Sequence, residues 1–176
     1  MFLRITPWLL LLFLTSSAQT GHSTTPASPT LQQLTQRSSY IFAGTVLTVE
    51  RVALKSDSEL PTVKITFQVN QAIRGVRAKQ ILTIKEWAAL WESGERYRPG
   101  ERVLLFLHGT SKLGLTSPVS GSFGRFQLDR NGSVLLSVER IAALRTGIPV
   151  KAAPVGKPIL INNREFTRAI FRKAGE

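Results

Sequence analysis

Residues 101–136 read ERVLLFLHGTSKLGLTSPVSGSFGRFQLDRNGSVLL, and the fold turns on how this stretch is used. Val103, Leu104, Leu105, Phe106 and Leu107 form a continuous apolar run, too short for a helix and suited to a strand covered on both faces. Pro99-Gly100 supplies a turn before it, and Gly109 follows it. From Leu113 to Leu115 apolar residues alternate, until Pro118 stops ladder donation. Gly121 and Gly124 bracket Phe123, and Arg125-Phe126-Gln127-Leu128 leads into Asp129-Arg130-Asn131-Gly132. Asn-Gly tolerates positive φ at both positions, so a hairpin closed by Asn131-Gly132 and returning through Val134, Leu135 and Leu136 is expected.

Working outward, Tyr40 to Val52 (YIFAGTVLTVERV) is rich in β-branched and aromatic residues and predicts a first strand. Gly44 interrupts it, as a bulge or bend does. Thr62 to Val69 alternates strictly, with Val63, Ile65, Phe67 and Val69 on one side and Thr62, Lys64, Thr66 and Gln68 on the other. That period of two predicts one face on a core and one in water. Arg74-Gly75 makes a turn, and Gln80 to Lys85 supplies a third strand with Leu82 and Ile84 inward. A polar loop, Lys55 to Leu60, separates the first two strands.

Between the third strand and the central run lies EWAALWESGERY, residues 86–97. Trp87, Leu90 and Trp91 stand at i, i+3, i+4, so a short helix ended by Gly94 gathers them on one face, where they plug an open end of the sheet. The alternative is a stacking platform for sugars or bases, made of Trp87, Trp91 and Tyr97 with Arg96 and Arg98 beside them.

Toward the C-terminus, Ser137 either caps a helix VERIAALRT ending at Gly147, or the strand continues through Val138. Gly147 to Lys157 is a Pro/Gly loop. Asn162-Asn163 caps a terminal helix in which Phe166, Ala169 and Ile170 share a docking face. Arg168, Arg172 and Lys173 complement the negative end of its dipole.

The other end looks like an export signal. Arg4 gives a positive start, Trp8 to Leu14 an apolar run too short for a bilayer, and Ser16-Ser17-Ala18 the small residues of a cleavage site. A signal peptide at 1–18 is expected, with no transmembrane segment after it and no Cys for a lipoprotein anchor. Residues 19–30 (QTGHSTTPASPT) form a Ser/Thr/Pro linker expected to be disordered. Leu31 to Arg37 suits a short helix capped by Thr30, with Leu31 and Leu34 on one side.

Removing residues 1–18 leaves 158 residues, enough for one domain (31–176) with a real core. The chain has no Cys, so an exported protein of this kind relies on packing, which suits a periplasmic or secreted bacterial protein. Net charge is +12, or +11 once Arg4 is lost, so this is a basic protein. The positive residues are dispersed, as on a solvated surface. The functional alternative is an anionic partner. Export removes most nucleic acid from reach, which leaves an envelope polysaccharide, anionic lipid or acidic protein. Arg96, Arg98, Arg125 and Arg130 flank the Gly-rich and hairpin regions and are expected to share the binding face.

The order of elements predicts an all-β fold with small α additions: an antiparallel OB-like β-barrel with a capping helix and a C-terminal helix. The run IFAGTVLTVERV, VKITFQVNQAIRG, RPGERVLLFL, LTSP resembles the netrin-like modules of tissue inhibitors of metalloproteinases over about residues 40–128. It is also similar to uncharacterised exported bacterial proteins with a GER-apolar run followed by a G-x-F segment. Those inhibitors depend on an N-terminal Cys and disulfides that this chain lacks, so neither inhibition nor any functional residue carries over.

No catalytic residues, cofactor or metal site are expected. His108 ends an apolar strand, and Ser117, Ser120 and Ser122 lie near it, but no G-x-S-x-G elbow, paired acids or phosphate-binding Gly-Lys motif occurs. The leading expectation is a non-enzymatic exported binding module for a protein partner or an anionic envelope polymer. The competing expectation is a hydrolase using His108 with a nearby serine.

Overall fold

Alternation and β-branched content produce the strands where they are strongest. The computed structural model describes residues 28–53, 60–91, 96–148 and 158–175. The expected signal (1–18), linker residues 19–27, loop residues 55–59, Gly94 and loop residues 149–157 lie outside the described residues. Strands β1 (Tyr40–Val52), β2 (Thr62–Arg74), β3 (Ile81–Trp87), β4 (Arg102–Leu107) and β5 (Arg125–Gln127) form one antiparallel sheet in the order β3-β2-β1-β4-β5. A second, two-stranded sheet joins β6 (Val134–Leu136) to β7 (Ile159–Ile161). Helices α1 (Leu31–Arg37), α2 (Val138–Leu144) and α3 (Asn163–Ala174) complete the structure. None of the described helices is long and apolar enough to cross a membrane.

The first strand is the centre of the sheet. Its N-terminal half pairs on both sides, Tyr40–Thr45 with Leu107–Arg102 on β4 and Ile41–Thr45 with Arg74–Gln68 on β2. The β1–β2 register slips at three places, one of them between Ala43 and Gly44. Gly44 is needed there, because a Cβ would lie 2.9 Å from the Gln68 carbonyl oxygen and 3.2 Å from the Phe42 ring. At the far end of β2, Gly75 turns the chain with φ +71, and a Cβ there would meet the Ser39 carbonyl oxygen at 2.3 Å.

The apolar run of β4 is buried on both faces, as its composition predicts. Val103, Leu105 and Leu107 pack with Phe42, Val63, Ile65 and Phe67. Leu104 and Phe106 face a second core built from Leu31 and Leu34 of α1, Phe126 of β5 and Phe166 and Ile170 of α3. The capping box of α1 is complete: Thr30 Oγ1 accepts from Gln33 N–H at 3.2 Å, and Gln33 Oε1 accepts from Thr30 N–H at 2.9 Å. Asn162 caps α3, whose Phe166, Ala169 and Ile170 are buried together. Of the two C-terminal alternatives the helix forms: Ser137 caps α2, which ends with Arg145 at φ 48.

Four expectations are corrected. The sheet does not close into a barrel. Its edges are β3 and β5, and a three-residue β5 offers too little ladder to close it. The Leu113–Pro118 segment crosses near the seam instead, with Thr116 N–H donating to Lys85 O at 2.9 Å and His108 N–H to Ser117 O at 3.0 Å. The Trp segment is not a capping α-helix. Trp87 ends β3, opposite Thr62, and Ala88–Trp91 is a single 3₁₀ turn, so Trp87 and Leu90 are exposed while Trp91 is buried. Pairing with β2 carries the strand two residues further than the alternation suggested.

Finally, the Asn131-Gly132 turn reverses the chain without making a ladder of β5 with β6. Gly132 takes φ +83 but Asn131 stays at negative φ. Asp129 drives the turn, its Oδ1 accepting from Asn131 N–H at 2.9 Å and Ser133 N–H at 2.7 Å. A single bridge, Leu128 to Val134, joins the two sides, and β6 goes on to pair with β7. Leu82, expected inside, is only half-buried; Val63, Ile65, Phe67, Ile84, Val103, Leu105 and Phe126 are buried as expected.

Phe67 is fully buried and meets Phe42 and Tyr97 edge-on at centroid distances of 5.5 and 5.6 Å. Phe67→Ala is therefore expected to cost roughly 3–5 kcal/mol in urea unfolding, the range for truncating a core aromatic.

Candidate functional site

Polar chemistry gathers at the seam between β3 and β5. The alternation that turns Ile84 inward also turns Glu86 inward, and Glu86 is only 3% exposed. Its carboxylate is held by neutral donors: Trp91 Nε1 donates to Oε2 at 2.9 Å, and the Tyr97 hydroxyl donates to Oε1 at 3.3 Å. Desolvation raises the Glu86 pKa above the ordinary carboxylate range, against the lowering effects of those two hydrogen bonds and of Arg125. Burial and the neighbouring Glu86 together hold the Tyr97 hydroxyl well above the usual phenol range.

Arg125, at the start of β5, is also buried. Its guanidinium lies over the Tyr97 ring, 4.4 Å from the centroid, and its Nη2 donates to Glu101 Oε1 at 2.6 Å and to Arg96 O at 3.3 Å. The result is a layered cluster, Trp91–Glu86–Tyr97–Arg125–Glu101, with the cation between Tyr97 and Glu101. Helix α2 braces it from outside. Arg140 Nη2 reaches the carbonyls of Ser122, Phe123 and Arg125 at 2.8–3.0 Å, and its guanidinium stacks 4.4 Å from the Phe126 centroid.

On one side of the cluster is a cavity of about 430 Å³, walled by Glu86, Trp91, Tyr97 and Arg125 from the sheet and by His108, Ser117, Ser120 and Ser122 from the Gly-rich excursion. On the other is a cleft of about 410 Å³ lined by Arg96, Arg98, Glu101, Arg125 and Gln127. Arg125 borders both.

The expected site residues are therefore redistributed. Arg96, Arg98 and Arg125 do come together in the cleft, whereas Arg130 lies outside it in the Asp129 turn, its carbonyl held by Arg102 Nη1 at 2.6 Å. Arg125 is the floor of the cleft, ion-paired with Glu101, while Arg96 and Arg98 are exposed. Trp87 and Trp91 do not form one platform, since Trp87 is 44% exposed and Trp91 only 6%. His108 is exposed and shares the cavity with Ser117, Ser120 and Ser122, but among the described residues no hydrogen bond joins its ring to their hydroxyls. No described group of three or more His, Asp or Glu is placed to hold a metal ion.

Sequence reasoning missed Glu86. The signal was present: Glu86 lies two residues beyond Ile84, but a strand ended at Lys85 left it at the head of the expected helical segment 86–97. No family model matches this chain, and no curated protein or solved structure matches it.

Because its folded pKa is raised, Glu86 binds more protons in the folded than in the unfolded state between the two values. Its contribution to stability is therefore greatest at low pH and declines as pH rises through the folded value. Urea unfolding of wild type and Glu86→Gln across pH 4–9 is expected to show wild type losing stability relative to the variant as pH rises. A difference that grows in wild type's favour would overturn the assignment.

Proposed function

We propose that this chain is an exported, non-enzymatic binding module, periplasmic or secreted, that holds an anionic envelope polymer along the Arg96–Arg98 cleft. The observation that carries the reading is the charge layout of that cleft. Its half-buried carboxylate, Glu101, is engaged by the buried Arg125, and two further guanidinium groups, Arg96 and Arg98, stand exposed beside the pair. Arg forks suit carboxylate, sulfate and phosphate groups, and a rigid floor holds them in register. A chain at +12 adds long-range attraction for a polyanion.

The OB-like, netrin-like reading belongs to the same proposal. It is supported by five antiparallel strands left open along one seam, as in a partly open OB-like barrel. Arg96 and Arg98 lie between β3 and β4, at that seam.

A second reading, a hydrolase using His108, is favoured by one observation: His108 and three serines wall the same cavity as the buried Glu86. It requires a His–Ser hydrogen bond formed on substrate binding. Turnover of an activated ester that disappears in His108→Ala would favour this reading over the binding module.

Binding of the purified chain to a carboxylated polysaccharide is expected to weaken steeply with added salt. Arg96→Ala/Arg98→Ala is expected to weaken it about three- to thirtyfold, as for two exposed charge contacts of roughly 0.3–1 kcal/mol each. Absence of binding at low salt, with capture of a protein through the same two arginines, would replace the polymer by a protein partner.

A further inference from the structure

The cavity on the other side of Arg125 has a different chemistry from the arginine cleft. Its deepest polar group is an acid. Glu86 is 3% exposed, walls a space of about 430 Å³, and among the described residues accepts hydrogen bonds from two donors, the indole N–H of Trp91 and the hydroxyl of Tyr97. Both donors are neutral. Arg125 also walls the cavity and its charge favours the Glu86 carboxylate, but its 2.6 Å ion pair is with Glu101. A carboxylate in this position is incompletely compensated, since burial strips its hydration and only a cation or further donors can replace the lost water.

The walls narrow the choice of ligand. Trp91 and Tyr97 are 6% and 4% exposed, so their ring faces are already covered and cannot stack on a flat sugar or base. Leu90 and Pro118 leave apolar surface nearer the mouth, and Ser117, Ser120 and Ser122 supply hydroxyls there. A slim aliphatic stem carrying a compact charged head matches this arrangement: stem against Leu90 and Pro118, head on the carboxylate.

We infer that the cavity at the β3–β5 seam is a binding site for a primary ammonium group on an aliphatic stem, with Glu86 as its counter-ion. An ammonium brings three donors, enough to satisfy Glu86 and neighbouring serine hydroxyls together. Its charge on the Glu86 carboxylate restores the balance that Arg125 leaves incomplete. The chemistry is shared by a free alkylamine and by a lysine side chain of a peptide, so both belong in the test.

The groups facing Glu86 set the pH dependence: Trp91 and Tyr97 from its own side of the sheet, Arg125 and Glu101 behind them, and His108 across the cavity. The ammonium binds the ionised carboxylate, so affinity rises with pH through the Glu86 titration. It falls again as the amine loses its proton, near pH ~10.4 for a lysine-type amine. Tyr97 titrates too high to interfere over most of that window.

The test is calorimetric or NMR titration of the purified full chain with n-butylammonium, with the isosteric neutral n-butanol, and with the blocked peptide Ac-Gly-Lys-Gly-NH₂. Both amines or either one should bind with saturation, and the alcohol at least about tenfold more weakly, as expected when a charge-assisted hydrogen bond is lost. A preference for n-butylammonium identifies a free amine as the source, and a preference for the peptide a lysyl side chain. Glu86→Gln should abolish the advantage of amine over alcohol, with its folded state checked by circular dichroism. If that variant does not fold, the wild-type pH profile and His108→Asn decide: affinity must still rise with pH when His108 is gone. Equal binding of amine and alcohol, no binding of either amine, or a pH profile carried by His108 alone would overturn the assignment.

Discussion

The five residues Val103–Leu107 are buried on both faces, and the rest of the structure is arranged to make that burial possible. An apolar strand with no wet face needs two covering layers, and each layer must bring its own apolar surface. On one side β1, β2 and β3 supply it by curling Phe42, Val63, Ile65, Phe67 and Ile84 over Val103 and Leu105. On the other, α1, α3 and the small β6–β7 sheet cover Leu104 and Phe106. The segments before and after the sheet are thus two halves of a single cover, and Phe126, with ring centroids 5.5 Å from Phe106 and 5.4 Å from Phe166, ties α3 to β4.

The same arrangement creates the seam. A β5 of three residues pairs with β4 and goes no further, so the edge of β3 faces a gap occupied by the Gly-rich excursion. Gly124 permits this close approach, since a Cβ there would lie 2.5 Å from the Val119 carbonyl oxygen. Side chains that would be core in a closed sheet instead border a cavity. Glu86 is the consequence: it sits at an inward position of its strand, yet it has polar neighbours and space beside it. The layering of Trp91, Glu86, Tyr97, Arg125 and Glu101 satisfies most of the buried polar atoms while leaving an acid on one side and guanidinium groups on the other.

That polarity gives charge a local meaning that a total of +12 does not. The net figure describes attraction at a distance. Close to the seam, the sign changes over the width of one side chain, from Arg96 and Arg98 in the cleft to Glu86 in the cavity, with Arg125 bordering both. The two proposed ligands, a polyanion outside and an ammonium within, follow from that change.

Much of this architecture was legible in the chain. The extent of β1, the inward set of β2, the two-sided burial of β4, the α1 cap at Thr30 and the docking face of α3 are local patterns of hydrophobic period and capping, and adjacent residues decide them. The gathering of Arg96, Arg98 and Arg125 was also anticipated, though not that Arg125 would be buried on Glu101. What local pattern could not decide depended on pairing between distant segments. The fate of Trp87 was settled by Thr62 opposite it on β2, not by helical spacing to Leu90 and Trp91. The partner of β6 was β7, about 25 residues away, rather than β5 across the Asn131-Gly132 turn, because the second core rewards that choice. Glu86 became a site residue because β2 extended β3 by two positions and because the sheet stayed open beside it. Those are properties of which strands meet, and the hydrogen bonds and burial that fix them exist only once the chain has folded.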